Sequence, residues 1–131
     1  MIEAKLEEIN EFKGINALKF GAKFGKLTMV SLEIPANLSI NSRVKLGSKS
    51  SEVILSLEKL KNCSLSNEIG CIIQNITIGE ILSVVNLKAL NSDDIFESII
   101  TTASAKRLNL SQNLQIYAYI KATSLFIDEV L

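Results

Sequence analysis

The sequence predicts an all-β protein built from two copies of one small β unit. Three observations predict this. Short runs of Ile, Leu and Val alternate with polar residues over four to eight positions, the period of a half-buried strand. Turn-forming dipeptides separate those runs at short intervals. Two blocks of the chain also resemble one another at a fixed offset.

The strands are clearest in Leu27-Thr28-Met29-Val30-Ser31-Leu32, Val53-Ile54-Leu55-Ser56-Leu57 and Gln115-Ile116-Tyr117-Ala118-Tyr119-Ile120. Turns are expected at Phe20-Gly21, Phe24-Gly25, Pro35-Ala36-Asn37, Asn41-Ser42, Ile78-Gly79, Asn91-Ser92-Asp93-Asp94 and Asn113. Many short strands at this spacing suit a barrel or a sandwich. One stretch differs. Thr101-Thr102-Ala103-Ser104-Ala105-Lys106-Arg107-Leu108 begins with capping hydroxyls, continues with small residues and ends in cations. That order suits one or two helical turns.

The repeat rests on two matches. Val44–Leu55 and Ile116–Ile127 each read as a strand, a Lys, small or hydroxylated residues, then a strand. Lys49 and Lys121 lie 72 positions apart, and Asn37-Leu38-Ser39 matches Asn109-Leu110-Ser111 at the same offset. The expected units are residues 1–60 and 61–131. At this size neither unit alone buries much surface, so the halves are expected to pack together or oligomerise.

Composition narrows the function. The 131 residues carry 14 Lys+Arg against 14 Asp+Glu, a net charge of zero. Neither a general nucleic-acid binder nor a polybasic membrane-surface protein is expected from that balance. Apolar residues make up 47%, enough for a real core, and no run reaches the length of a membrane span. The charged start Met1-Ile2-Glu3-Ala4-Lys5-Leu6-Glu7-Glu8 does not resemble a signal peptide, so the expected location is cytoplasmic. There is no His, hence no imidazole base or metal ligand. Cys63 and Cys71 are too few and wrongly spaced for a zinc site and read as free thiols, Cys71 in the core. No phosphate-binding glycine loop is present. An enzyme is not expected.

The second half carries a more specific signal. It runs Cys63-Ser64-Leu65-Ser66-Asn67-Glu68-Ile69, then two strands, then Ser98-Ile99-Ile100-Thr101-Thr102-Ala103-Ser104-Ala105-Lys106-Arg107-Leu108, and closes on Ala118-Tyr119-Ile120-Lys121-Ala122-Thr123-Ser124-Leu125. This resembles the molybdenum-pterin-binding (molbindin, or Mop) family of TOBE domains. That family opens with Ser-Ala-Arg-Asn, carries Ser-Ala before a short helix, and closes with Ala-x-Ile-Lys-Ala-Thr/Ser-x-Val. The closing motif is the most specific part. In the opening motif Ser64 and Asn67 are kept, while Leu65 and Ser66 replace Ala and Arg. The first half, with Lys49-Ser50-Ser51-Glu52-Val53, is similar to the divergent version of the domain at the ends of transporter ATPases.

The resemblance implies two tandem five-stranded barrels of the OB-fold (TOBE) type, with a short helix in the second. It implies molybdate, or the near-isosteric tungstate, as bound ligand at interfaces between modules or subunits. Carried over residue by residue, the oxyanion-binding candidates are Ser64, Ser66, Asn67, Thr101, Ser104, Lys121 and Ala122, with Lys49 and Ser50 as secondary candidates. A tetrahedral dianion needs several hydrogen-bond donors and one or two positive charges, with no acceptor-only carboxylates close by. Hydroxyls, backbone N–H groups and Lys121 would supply that set. Replacing Arg by Ser66 removes a guanidinium.

The first half is degenerate. With Ala4-Lys5-Leu6 aligned on Cys71-Ile72-Ile73, Met1 stands opposite Glu68, so nothing matches the Ser-x-x-Asn segment. At the offset of 72 residues, Met29 and Leu32 stand opposite Thr101 and Ser104. This half is expected to act as a partner barrel. Other residues have plainer readings: Tyr117 and Tyr119 as packing, Lys106-Arg107 as a solvated helix end, Asp93-Asp94 as a loop tip. Two functions compete. One is an oxyanion-binding homo-oligomer, a dimer or trimer, that buffers, stores or senses molybdate. The other is a ligand-free interaction or oligomerisation module associated with a molybdate transport system.

Overall fold

The alternating runs fold into two five-stranded antiparallel sheets, and the computed structural model describes residues 1–131. The strands are β1 (Ile2–Phe12), β2 (Ile15–Ala22), β3 (Gly25–Ser31), β4 (Arg43–Ser48), β5 (Ile54–Ser56), β6 (Asn67–Ile78), β7 (Leu82–Ala89), β8 (Ile95–Thr101), β9 (Gln115–Ile120) and β10 (Leu125–Val130). One helix, α1 (Thr102–Arg107), follows β8, and 3-10 turns occupy Ser50–Glu52 and Ala122–Ser124. The all-β class and the short helix in the second half are as the sequence predicts. No helix is long and apolar enough to cross a membrane.

Sheet membership crosses the repeat. One sheet has the order β10-β4-β1-β2-β3 and the other β5-β9-β6-β7-β8. Each half therefore contributes four strands to its own sheet and its last strand to the other. Ile54–Ser56 pairs with Tyr117–Tyr119, and Leu125–Val130 pairs with Val44–Ser48. The 3-10 turn after β4, and its counterpart after β9, redirect the chain across the gap. Each sheet is thus completed by a strand from the other half of the chain.

Alternation fixes which face is buried. In β1, Ile2, Ala4 and Leu6 point inward between exposed Glu3, Lys5 and Glu7. In β7 the inward phase is Ser83, Val85, Leu87 and Ala89. These faces form one continuous core, in which Leu6, Leu18, Phe20 and Leu46 from the first half join Ile69, Ile73, Leu87 and Ile120 from the second. Each such side chain contributes about 1.5–3 kcal/mol on burial. The exchange of strands and the shared core make the halves interdependent.

The expected turns hold with one correction. Asn41, Asn91 and Asn113 adopt positive φ, the left-handed conformation that Asn tolerates in turns. Phe20-Gly21 is not a turn but lies inside β2, with Phe20 fully buried. Gly21 faces the bulge between Leu6 and Glu8, where an added Cβ would sit 2.5 Å from the Glu7 carboxylate.

Pairing registers align the halves strand by strand. Leu6 opposite Phe20 matches Ile73 opposite Leu87, an offset of 67 residues. Phe20 opposite Leu27 matches Leu87 opposite Phe96, which moves the third strands to an offset of 69. Ile2 opposite Leu46 matches Ile69 opposite Ala118, which restores 72 for the fourth strands. The residue standing where Thr101 does is therefore Leu32, not Met29, and Pro35 rather than Leu32 falls at the place of Ser104. The three residues gained after β8 are spent on α1, which the first half lacks.

Candidate functional site

The start of β6 and the end of β9 bring the opening and closing motifs together. Asn67, the first residue of β6, pairs with Ile120, the last of β9. Ser66, exposed just before β6, and Lys121, just after β9, are the next residues out from this pair, with exposed Ser64 two positions further upstream. Lys121 is exposed and caps the 3-10 turn, which its carbonyl closes by accepting from the Ser124 N–H at 2.9 Å. None of the six ion pairs includes Lys121. Its charge is available.

Asn67 has a different environment. Its side chain is fully buried. Its Oδ1 accepts from the Thr28 N–H at 2.7 Å, and its Nδ2 donates to the Thr28 carbonyl at 2.9 Å. The amide thus completes the free edge of β3 as a neighbouring strand would. It ties the start of β6, and the motif before it, to the opposite sheet. Thr28 joins the cluster through this bond, and the 3-10 turn after Lys121 packs against the same strand.

A second layer holds this corner. The Tyr119 hydroxyl donates to Glu68 at 2.9 Å and accepts from the Leu60 N–H at 2.7 Å, while Lys59 pairs with Glu68 at 3.3 Å. Burial pushes the Tyr119 phenol above its ordinary value, and the Glu68 carboxylate adds to the rise. Tyr119 is therefore a structural clasp between the linker and β6. Cys63 is exposed, and Cys71 is a core thiol that burial pushes up to about 12.

Thr101 and Ser104 form a separate cluster. Thr101 caps α1: its hydroxyl accepts from the Ser104 N–H at 3.0 Å and donates to the Ser104 hydroxyl at 2.8 Å. Ser104 Oγ also accepts from Arg107 Nη2 at 3.3 Å, which leaves its own proton free to donate outward. Below it, the Thr102 hydroxyl donates to the Gly79 carbonyl at 2.8 Å and must accept from Ser83, 2.8 Å away, because its single proton is already used. This buried pair anchors α1 to the turn between β6 and β7.

The two clusters do not meet within one chain. Thr101 pairs with Leu82, next to the Ile78–Ser83 end of the β6–β7 hairpin, while Asn67 stands at the other end of β6. A strand of 12 residues separates them, a path of roughly 36 Å along the backbone at about 3.3 Å per residue.

The corresponding corner of the first half is differently charged. Lys49 and Ser50 stand where Lys121 and Ala122 do, at the 72-residue offset. Glu97 stands where Thr28 does, at the 69-residue offset. The Ser50 hydroxyl donates to Glu97 Oε1 at 3.1 Å. Thr28, Thr102, Ser83 and Glu97 are not among the residues that sequence reasoning selects. A signal was present for Ser83 alone, as a polar residue on the inward phase of β7.

No family profile matches the chain, and no curated protein matches it in sequence. Among solved structures, it is similar to the cytoplasmic molybdate-binding protein ModG in a form grown from PEG with molybdate bound, at a TM-score of 0.87 and 20% identity. The match covers 96% of this chain and 92% of that one, so the likeness of fold extends over both halves.

Proposed function

We propose that this chain is a binding protein for tetrahedral oxyanions, molybdate or tungstate, built as two tandem TOBE modules of the molbindin type and acting in the cytoplasm as a homo-oligomer. The observation that carries the reading is the exposed, unpaired Lys121 beside the Ser64–Asn67 segment. Ser64, Ser66, the Lys121 ammonium and the backbone at Ala122 supply donors and one charge. Ser104, whose own proton is not used by Thr101 or Arg107, supplies a donor at a second position, with Thr101 holding it in place. Because the two positions sit at opposite ends of β6, the complete site needs a neighbouring copy, which favours a closed dimer or trimer. The fold shared with a molybdate-bound protein supports the ligand.

Asn67 acts on this reading through position, since both ends of its amide are engaged by Thr28. That engagement, with Ser66 in place of an Arg, is what favours the second reading, a ligand-free module serving a molybdate transport system. Titration calorimetry of the chain with molybdate, followed by competition with sulfate, separates the two. Saturable heat that sulfate fails to displace at equal concentration supports binding, and absence of heat supports the module. Light scattering in the same buffer is expected to give a dimer or trimer; a monomer with molybdate bound would remove the shared site.

A further inference from the structure

We infer that Glu97 closes the first-half corner to oxyanions, so that the chain loads them through its second half alone. This rests on the proposed oxyanion function. The two corners are built alike: each has a Lys at the end of the fourth strand, a 3-10 turn after it, and the third strand of a sheet against that turn. They differ at one register-equivalent position of the third strand. In the second-half corner this is Thr28, a neutral hydroxyl whose peptide is held by Asn67. In the first-half corner it is Glu97, a carboxylate 3.1 Å from the Ser50 hydroxyl. That bond orients the Ser50 proton toward the carboxylate and so engages the hydroxyl of the turn's first residue.

Glu97 enters none of the six ion pairs, so no side-chain cation within the chain neutralises it. It lines a pocket of about 180 Å³ with Gly47, Ser50, Phe96 and Phe126. Lys49, the counterpart of Lys121, adjoins the Ser50 that lines this pocket. An oxyanion beside Lys49 would meet a full negative charge. At about 4 Å in bulk water, a carboxylate and a dianion repel by about 2 kcal/mol, equivalent to a roughly 30-fold loss of affinity. Exclusion is by charge rather than shape.

The test is molybdate capacity per chain, read by equilibrium dialysis to millimolar concentration. Parent protein is compared with Glu97→Gln, Glu97→Asp, and Glu97→Gln combined with Lys49→Ala or with Lys121→Ala. Glu97→Gln is expected to add bound molybdate beyond the parent level. Glu97→Asp should stay at the parent level. The added capacity should disappear with Lys49→Ala and survive Lys121→Ala. The reciprocal Thr28→Glu should lower affinity at the second-half corner about 30-fold, since Asn67 bonds the Thr28 backbone and the fold is retained. Binding by the parent with no gain in Glu97→Gln overturns the inference and leaves the function standing. A parent that already binds through Lys49 overturns it too. No binding by the parent or any variant overturns the function, and the role of Glu97 with it.

Discussion

Replacing Asn67 by Ala removes two hydrogen bonds at once. The Thr28 N–H and carbonyl lose partners at 2.7 and 2.9 Å in a corner where the Asn67 side chain is fully buried. An unsatisfied buried backbone group costs about 1–3 kcal/mol. Thr28 is half-buried, so water recovers part of that cost, and a loss of about 2–4 kcal/mol is expected. With an unfolding entropy of about 2.1 cal/mol/K per residue, a chain of 131 residues loses roughly 7–15 °C of Tm. Asn67→Asp should be no better: the carboxylate can accept from the N–H but repels the carbonyl. Thermal unfolding followed by circular dichroism reads the effect. An Asn67→Ala protein as stable as the parent but weaker toward molybdate would refute the strut reasoning and return Asn67 to the ligand set.

Other expectations follow from single contacts. Thr102→Val leaves the Gly79 carbonyl and the Ser83 hydroxyl without their partner, and urea unfolding should show a loss of about 1–3 kcal/mol. Gly79→Ala places a Cβ 2.3 Å from the Leu82 carbonyl oxygen, a backbone atom that cannot swing away; a destabilisation of about 1–3 kcal/mol is expected in the same assay. Cys71 makes the fold sensitive to base. Its thiol ionises at an ordinary 9.0 when unfolded but only at about 12 when folded. The folded state therefore holds the proton longer, and its advantage is intact below about pH 9 and lost as pH rises toward 12. Denaturant midpoints measured across that window should fall steeply for the parent and less steeply for Cys71→Ala, the remainder coming from Tyr119, which is also raised.

What the sequence makes legible is local. Alternation in Gln115–Ile120 fixes a strand and its buried face whichever sheet receives it, and Thr101 with Lys106-Arg107 marks the ends of α1. The exchange of β5 and β10 leaves no such mark. Ile54–Ser56 has the same pattern in either sheet, and its destination is set by a 3-10 turn and by packing across the halves. The constant offset of 72 residues misplaced the partners of Thr101, because the insertion that forms α1 lies between the third and fourth strands and only pairing registers reveal it. The nearness of Asn67 to the Ile120-Lys121 corner was expected only through the resemblance, since the two lie far apart in sequence. The roles of Thr28 and Glu97 were not, because each acts through a residue more than 35 positions away.

Lys121 reports most directly on oxyanion binding. Parent, Lys121→Ala and Lys49→Ala are titrated with molybdate at one fixed salt concentration. Loss of a charge-assisted hydrogen bond, about 1.5–3 kcal/mol, predicts a roughly 10- to 150-fold weaker Kd for Lys121→Ala, with Lys49→Ala close to the parent. Equal affinities for all three proteins would mean that Lys121 is not a ligand.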